Sequence, residues 1–367
     1  MSFLRYNPSV CVIGNEYEII VNAKENGLLS VRVAGETFEE DNTGCLYSEK
    51  SIAKIRVPQS ALDQAKSYEV LYRKAIDRKA YFSEFGDEET AKFAFKPLEK
   101  TEKIHAYHIA DVHYNFEIAL KTATFFGDEL DLLIVNGDIG EVETEENYFE
   151  VAKFVGDVAK GELPVLFIRG NHDTRGKLAE KYADYFPTNG KATYFTFEVG
   201  CLAGVAFDCG EDKEDTHLHT DGRPVYNGCN NFKKFRIKET EWLKKVTLPA
   251  DKIPFVVGHI PPVHTTSHHG DVFDIERDLY AEWDNQFDRL GAKFMLCGHM
   301  HRAYVLLEDD ARNTLPHTYP VIVGSACYFG QQPMELWGAA LTIDKDGALV
   351  QFTDQDQKVR EEYVIKY

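Results

Sequence analysis

The sequence predicts an α/β protein with an all-β module at its N-terminus, and two changes of pattern support this fold class. In residues 1–100, apolar side chains fall mostly at every second position of short runs, which is the period of β-strands. After residue 103, apolar strands alternate with longer amphipathic segments, as in α/β proteins. A chain of 367 residues is long enough for two domains. We therefore expect domains at residues 1–100 and 101–367.

The first module contains five runs with strand periodicity, and none of them has helical spacing. Several short strands in succession predict a small antiparallel sandwich of the immunoglobulin-like kind. Pro97 and the charged stretch 99–103 mark its end. The five runs are 17–21, 29–33, 53–57, 68–72 and 91–95.

The second module contains two amphipathic segments that predict helices, at 145–160 and 232–245. Near the C-terminus, two alternating runs at 338–343 and 348–353 flank the turn-forming sequence 344–347, Asp-Lys-Asp-Gly. This arrangement predicts a β-hairpin.

Composition restricts the class of protein. Hydrophobic residues make up 44% of the chain and charged residues 28%, as in folded globular proteins, and no apolar run approaches membrane-spanning length. The N-terminus lacks the basic start and apolar stretch of a secretory signal. The seven cysteines are scattered without a Cys-x-x-Cys motif, which predicts reduced thiols. We expect a soluble, cytoplasmic protein that does not associate with membranes.

The net charge of -19 makes nucleic acid a disfavoured partner. Proteins that bind nucleic acid usually present a basic face that displaces counterions from phosphate. An acidic surface also has a simpler explanation, since it keeps a protein soluble.

Polar residues suited to metals follow five apolar runs of the second module, at 104–110, 132–135, 165–168, 255–257 and 294–297. In open α/β sheets, ligands bind outside the carboxyl ends of the strands. We therefore expect the five loops to converge on one crevice. The candidate residues in these loops are Asp111, His113, Asp138, Asn171, His172, His259, His299 and His301.

The chemistry of these side chains favours a transition metal. Carboxylate, amide oxygen and imidazole together suit Mn, Fe or Zn better than calcium. Glycine precedes four of the candidates and allows the tight turns that bring short side chains to a shared ion. Each motif alone has a structural explanation, such as a strand-end turn or surface histidines. All five together, in this order, favour the metal site.

Over residues 104–325 the chain resembles the calcineurin-like metallophosphoesterases, because it carries their Asp-x-His, Gly-Asp, Gly-Asn-His-Asp/Glu, Gly-His and Gly-His-x-His series. The resemblance implies a four-layer fold in which two β-sheets lie between helices. It also implies two divalent metal ions bridged by Asp138. One metal would be bound by Asp111, His113, Asp138 and His301, and the other by Asp138, Asn171, His259 and His299.

The N-terminal sandwich resembles the accessory domain of purple acid phosphatases by its strand pattern alone. The chain departs from those enzymes in two motifs. Where those enzymes have the motif Gly-Asp-x-x-Tyr, this chain has Glu141 at the position of the tyrosine, so we expect no coloured iron-tyrosinate site. Their first motif also lacks the histidine that this chain has as His113.

The predicted reaction is the hydrolysis of a phosphate ester. Two cations can lower the pKa of a bridging water, whose hydroxide would attack phosphorus, and can clamp the phosphoryl oxygens. His172 lies beside the ligand Asn171 but outside the ligand set, and we expect it to protonate the leaving group. Glu141 is a candidate for orienting His172, although its position equally fits a solvated loop carboxylate.

Three weaker features accompany the motifs. Arg169 has the geometry to contact phosphate, but a structural ion pair is the more usual role at a strand end. His264, His268 and His269 are candidates for the substrate entrance or a third metal site, and solvent-facing histidines are the commoner case. The polar segment 210–231 fits either a lid over the substrate or a flexible surface loop.

The leading functional hypothesis is hydrolysis of a small phosphomonoester or phosphodiester, between which the sequence does not choose. A nuclease is the second hypothesis and predicts a basic groove near the metals. A non-catalytic scaffold, in which metals only organise loops, is the third. The candidate proton donor at His172 argues against the scaffold. The oligomeric state is not predicted.

Overall fold

The computed structural model describes residues 2–47, 49–264, 271–327 and 334–367, which form two large sheets, one small sheet and six α-helices. The helices are α1 (Gln59–Ala65), α2 (Phe116–Ala123), α3 (Glu145–Ala159), α4 (Tyr182–Tyr185), α5 (Phe232–Leu243) and α6 (Arg277–Arg289). Short 3₁₀ turns occupy Gly127–Glu129, His172–Thr174 and Ala179–Lys181.

The strands of the first half are β1 (Ser9–Ile13), β2 (Glu16–Asn22), β3 (Gly27–Val33), β4 (Glu36–Phe38), β5 (Ile52–Pro58), β6 (Ser67–Asp77), β7 (Glu84–Ala94), β8 (Ile104–Ile109), β9 (Leu132–Asn136) and β10 (Pro164–Ile168). Those of the second half are β11 (Phe195–Val199), β12 (Leu202–Ala206), β13 (Ile253–Val257), β14 (Met295–Cys297), β15 (Tyr304–Leu306), β16 (Val321–Val323), β17 (Ala326–Cys327), β18 (Leu336–Ile343), β19 (Gly347–Thr353) and β20 (Val359–Lys366).

The largest sheet has the strand order β20-β19-β18-β8-β9-β10-β1-β2-β5, with β17 paired to β18. Its centre is parallel from β8 through β9 and β10 to β1. Parallel strands with both faces covered are apolar at nearly every position. In β9, Leu132 and Ile134 face one core, while Leu133 and Val135 face the opposite core.

The second sheet has the order β11-β12-β13-β14-β16-β15 and is parallel from β12 to β16. Its inner face packs against the largest sheet, and Phe255 of the second sheet and Ile134 of the largest sheet belong to one hydrophobic core. Helices α2 and α3 cover the outer face of the largest sheet, and α5 and α6 cover that of the second. The predicted four-layer α/β arrangement is confirmed.

The first hundred residues contribute to two layers. Strands β3, β4, β6 and β7 form an antiparallel sheet in the order β4-β3-β6-β7, and it packs against β2 and β5 through residues such as Val31, Val70 and Ile55. A sandwich is therefore present, but one of its layers belongs to the largest sheet, because β1 pairs with β10 in the register Val10↔Pro164. Hydrogen bonds thus cross the predicted boundary at residue 100.

Other predicted elements are also confirmed. The five N-terminal runs lie in β2, β3, β5, β6 and β7, the two amphipathic segments form α3 and α5, and the hairpin consists of β18 and β19. Within the first hundred residues, the sequence pattern missed β1, β4 and α1. Within the described residues, no helix combines the length and the apolar character needed to cross a membrane.

Candidate metal centre

Hydrogen bonds from backbone N–H groups join the loops that follow four of the five strands. Asp111, after β8, donates its N–H to the carbonyl of Gly137, after β9 (3.1 Å). In the second sheet, Gly298 donates to the carbonyl of His259 (2.9 Å). The N–H of His299 donates to both carboxylate oxygens of Asp111 at 3.1 Å, which connects the two sheets. The loops therefore converge on one site, as the sequence predicts.

The predicted side chains form two groups that share one carboxylate. Within each group the potential ligand atoms lie within 4.8 Å of one another, so that each could hold a metal ion. Their common member is Asp138. The first group is Asp111, His113, Asp138 and His301, and the second is Asp138, His259 and His299, beside which Asn171 places Oδ1 3.1 Å from His299 Nδ1.

Imidazole nitrogens face the two carboxylates at short range. His259 Nε2 lies 3.0 Å from Asp138 Oδ2, and His301 Nε2 lies 3.4 Å from Asp111 Oδ1. His113 Nε2 is 3.9 Å from Asp138 Oδ2 and 3.4 Å from His301 Nε2. Nitrogen and oxygen lone pairs are thus concentrated in a small volume.

Both carboxylates are buried, with 0% exposure for Asp111 and 1% for Asp138. Burial raises the pKa of Asp111 to about 8, because a buried charge loses its hydration. Burial also acts to raise the pKa of Asp138, but the neighbouring His259 outweighs it and lowers that pKa. Among the described residues, the ion-pair partners of these two aspartates are all histidines.

Most of the histidines are held in the neutral form that metal binding requires. Burial lowers the pKa of His113 to about 4 and that of His299 to about 3, and it also lowers the pKa of His301. His259 differs, because the Asp138 carboxylate outweighs burial and raises its pKa to about 10. A proton on His259 Nε2 therefore competes with a metal ion for the same position.

The geometry of His259 fits a metal ligand. Its Nδ1–H donates to the carbonyl of Asn136 (2.7 Å), which leaves the Nε2 lone pair directed at the site. Nε2 has no hydrogen bond of normal geometry, although Asp138 Oδ2 is near, and Asn171 Nδ2 is likewise buried without a partner among the described residues. A divalent cation would satisfy the lone pairs of His259 and Asp138 together. The donor set therefore fits the predicted metals.

The backbone at the site is strained in a way common at functional sites. Residues other than glycine rarely adopt positive φ. Five of the seven predicted metal ligands do so here: Asp111 (52°), His113 (43°), Asp138 (51°), His299 (68°) and His301 (50°). Gly170 is required here, because a Cβ at this position would lie 2.3 Å from the N and Oδ1 atoms of Asp138. This close approach of two loops is the role predicted for the glycines.

Asp173 supports the site and was missed by the sequence reasoning. Its buried carboxylate accepts hydrogen bonds from the backbone N–H groups of Asp138 (2.9 Å), Ile139 (3.2 Å), Gly140 (3.4 Å) and Gly170 (2.7 Å). It thereby fixes the loops of β9 and β10 together. The signal was available, since an acidic residue ends the Gly-Asn-His-Asp motif.

His172 lies at the edge of the cluster, with a quarter of its side chain exposed. Its backbone N–H donates to Asp138 Oδ1 (2.8 Å), and its Nε2 is 3.9 Å from Asp138 Oδ2. Glu141 Oε1 lies 2.6 Å from His172 Nδ1, which is the contact that a residue orienting the His172 ring would make. Arg175 Nη1 lies 2.9 Å from Nε2, and no sequence motif identified this arginine.

The three weaker features of the sequence differ in how the structure places them. Arg169 forms the structural ion pair expected of it, since Nε donates to Asp208 Oδ2 at 2.8 Å. His264 is buried and its Nδ1 donates to the carbonyl of Arg312 (2.8 Å), so the expectation of a solvent-facing side chain is wrong there. His268 and His269 lie outside the described residues. The polar segment 210–231 forms one wall of a cavity beside Arg175.

Comparisons with known proteins agree with this geometry. The model of the calcineurin-like phosphoesterase family matches residues 104–303, more than half of the chain. A purple acid phosphatase from yellow lupin (Lupinus luteus) seeds has a similar fold, with a TM-score of 0.61, 10% identity, and coverage of 98% of this chain and 74% of its own. The structure of PhoD has a TM-score of 0.58 and 11% identity, covering 100% of this chain and 91% of its own. No curated protein sequence matches significantly.

The family match spans the strands and loops that carry all seven predicted ligands and His172. The structural similarities, at 10% and 11% identity, support the fold. The chain therefore belongs to the calcineurin-like phosphoesterase family and is a metal-dependent phosphoester hydrolase.

Proposed function

We propose that the protein hydrolyses a phosphate ester of a small molecule at a centre of two divalent cations. The observation that carries this proposal is the pair of ligand groups that share Asp138. A shared carboxylate is the arrangement that holds two cations close together. When bound, such cations lower the pKa of a water molecule and neutralise phosphoryl oxygens during in-line displacement.

The ligand sets follow from the two groups. Asp111, His113, Asp138 and His301 would bind one cation, and Asp138, Asn171, His259 and His299 the other. Hydrogen bonds orient two of these side chains: Asp111 accepts from the His299 N–H, and His259 donates to the Asn136 carbonyl. Carboxylate, amide and imidazole ligands support Mn, Fe or Zn.

His172 is the proposed proton donor to the leaving-group oxygen. Its position supports the role, since the ring borders the cluster and is partly exposed to an incoming substrate. Glu141 accepts from Nδ1–H and so orients the ring. A guanidinium only donates hydrogen bonds, so Nε2 accepts from Arg175 in the observed arrangement. Proton donation from Nε2 therefore requires Arg175 to release it when substrate binds.

The experiment that tests the proposal measures hydrolysis of 4-nitrophenyl phosphate and bis(4-nitrophenyl) phosphate by metal-free protein. Mn, Fe, Zn or no metal is added, and Asp138→Asn is compared with Asp309→Asn, which changes an exposed carboxylate. We expect turnover that needs metal, is lost in Asp138→Asn and is retained in Asp309→Asn. Protein that binds metal but hydrolyses neither ester would instead support the scaffold, and turnover unaffected by Asp138→Asn would place the chemistry elsewhere.

A further inference from the structure

A cavity of about 520 Å³ lies beside the candidate metal centre, and its lining residues belong to none of the five sequence motifs. Its walls come from two parts of the chain: Thr174, Arg175 and Gly176 follow the Gly-Asn-His-Asp motif, and Lys213, Tyr226 and Asn230 belong to the polar segment 210–231. Cavities that bind small ligands usually measure about 300–1,000 Å³. The size therefore suits a small organic group.

Two contacts connect the cavity to the proposed metal ligands and proton donor. Arg175 lines the cavity and places Nη1 2.9 Å from His172 Nε2. Lys213 also lines it, and its Nζ lies 4.4 Å from the ring centre of Phe273, which in turn is 6.5 Å from the ring of His299. A phosphoryl group at the metal centre would therefore have the cavity on the side of His172.

The carboxylates at the cavity, Glu211 and Asp212, are already paired with its cations, which are the more exposed groups. Glu211 is fully buried and accepts from Arg175 Nε (2.6 Å) and Nη2 (2.8 Å). Asp212, with 8% of its side chain exposed, accepts from Lys213 Nζ (2.7 Å). The two cations are more exposed, at 27% for Arg175 and 20% for Lys213.

Glu211 also fixes the opposite wall. The hydroxyl of Tyr226 donates to its Oε2 (2.9 Å), which holds the aromatic ring in place. Buried Arg236 donates from Nε to the carbonyl of Cys209 (2.7 Å) and from Nη2 to that of Glu211. The cavity is therefore built before any ligand arrives, with cationic donors on one side and the Tyr226 ring and Val225 on the other.

We propose that this cavity binds the leaving-group alcohol of the substrate, and that the alcohol is a nucleoside or a ring compound of similar size and polarity. The inference rests on the proposed function, because His172 must face the leaving-group oxygen. Arg175, Lys213 and Asn230 would donate to hydroxyl and ring acceptors, while Tyr226 and Val225 would cover the apolar face of the ring. Arg175, Lys213 and Tyr226 are specificity-determining residues in this account.

The first test follows a cysteine in the cavity wall. Cys229 is exposed and lines the cavity, while Cys45 is exposed elsewhere and serves as an internal control. Site-resolved mass spectrometry would measure maleimide labelling of both thiols in metal-loaded protein. Adenosine at ten times its Kd should slow labelling of Cys229 by roughly tenfold and leave Cys45 unchanged. Inorganic phosphate should protect neither, and adenosine that fails to protect Cys229 at any concentration would overturn the proposal.

The second test fills the cavity. Val225→Trp places an indole in its wall, and Leu218→Trp makes the same type of change at an exposed position of the segment outside the wall. We expect Val225→Trp to lower kcat/KM for adenosine 5′-monophosphate relative to 4-nitrophenyl phosphate by at least about tenfold. Leu218→Trp should leave this ratio unchanged.

The two tests separate the failure of this inference from that of the proposed function. If 4-nitrophenyl phosphate is hydrolysed with metal but Val225→Trp does not change the ratio, the leaving group lies elsewhere and the cavity assignment is wrong. If no ester is hydrolysed with any metal, the proposed function fails. Protection of Cys229 by adenosine would then still support ligand binding in the cavity. Without hydrolysis and without protection, both the proposed function and the cavity assignment would be rejected.

Discussion

Two buried clusters of carboxylates lie side by side in this protein and differ in how their charge is balanced. Asp111 and Asp138 are paired only with histidines among the described residues. Glu211 and Asp212 are paired with the permanent cations Arg175 and Lys213. Both clusters are rich in acidic groups, but only the second is balanced by permanent cations, whereas the first relies on a proton bound to His259.

The difference separates the proposed metal centre from a structural ion-pair network. Removing a carboxylate from water costs several kcal/mol, and a cluster in which most imidazoles are neutral compensates that cost less than permanent cations do. The Asp111–Asp138 cluster is therefore suited to cations from solution. The Glu211–Asp212 cluster is complete without them and instead shapes the adjoining cavity. Charge balance thus distinguishes the two clusters better than residue type does.

The largest expected effect concerns the shared ligand. Loss of a residue that supports a metal ligand can lower activity by roughly 100-fold. Asp138→Asn should lower metal-dependent kcat/KM by more than this, because Asp138 belongs to both ligand groups. Steady-state kinetics on 4-nitrophenyl phosphate would measure this, with Asp309→Asn as control. Retention of more than a tenth of the activity would remove Asp138 from the centre.

The next effect concerns the proposed proton donor. His172→Asn should lower kcat by about 10²–10⁴-fold for an alkyl phosphate, whose leaving group needs a proton, and by much less for 4-nitrophenyl phosphate. Metal content should not change, since His172 lies outside both ligand groups. Equal losses for the two esters would indicate that His172 positions the substrate and does not donate a proton.

Stability should distinguish the two carboxylate clusters in metal-free protein. Glu211→Gln should lower the free energy of unfolding by about 3 kcal/mol, the low end for a broken buried pair, because Arg175 is partly exposed. Asp111→Asn should cost less than about 1 kcal/mol at neutral pH, since burial raises the pKa of Asp111 to about 8 and a neutral amide then replaces a largely protonated carboxyl. Urea denaturation in a chelator would compare the variants, and the opposite order would refute the distinction.

The last effect depends on pH and concerns another buried carboxylate, Asp284 in α6, which accepts from the Tyr319 hydroxyl. Burial raises the pKa of Asp284 from 3.8 to about 7. The raised pKa means that the folded state favours the protonated form, so its stabilisation is full below about pH 4 and is lost as pH rises through 7. Wild type should lose stability over this range relative to Asp284→Asn, as urea titrations at each pH would show. A relative gain would contradict the assignment.

The sequence predicted the site better than its surroundings. All seven predicted ligands converge, because each follows a strand and strand ends meet at one edge of a sheet. Arg175 was missed, since its contact with His172 depends on Glu211, which lies 36 positions further along the chain. Asn136 was missed because its role uses a backbone carbonyl, which any residue type supplies.

The fold shows a similar limit. Periodicity located strands β2, β3, β5, β6 and β7, since alternation is a local property. It did not predict that β1 pairs with β10, because residues such as Val10 and Pro164 come together only through long-range pairing. The boundary at residue 100 stays a prediction, and the continuous sheet leads us to expect that both regions unfold together.

The most direct test of the central claim is the number of metal ions bound per chain. Isothermal titration of metal-free protein with Mn or Zn, checked by elemental analysis, should give two ions per chain for wild type. Asp138→Asn should bind one ion or none, while Glu211→Gln should still bind two. Wild type that binds no ion, or Asp138→Asn that binds two as tightly as wild type, would contradict the account.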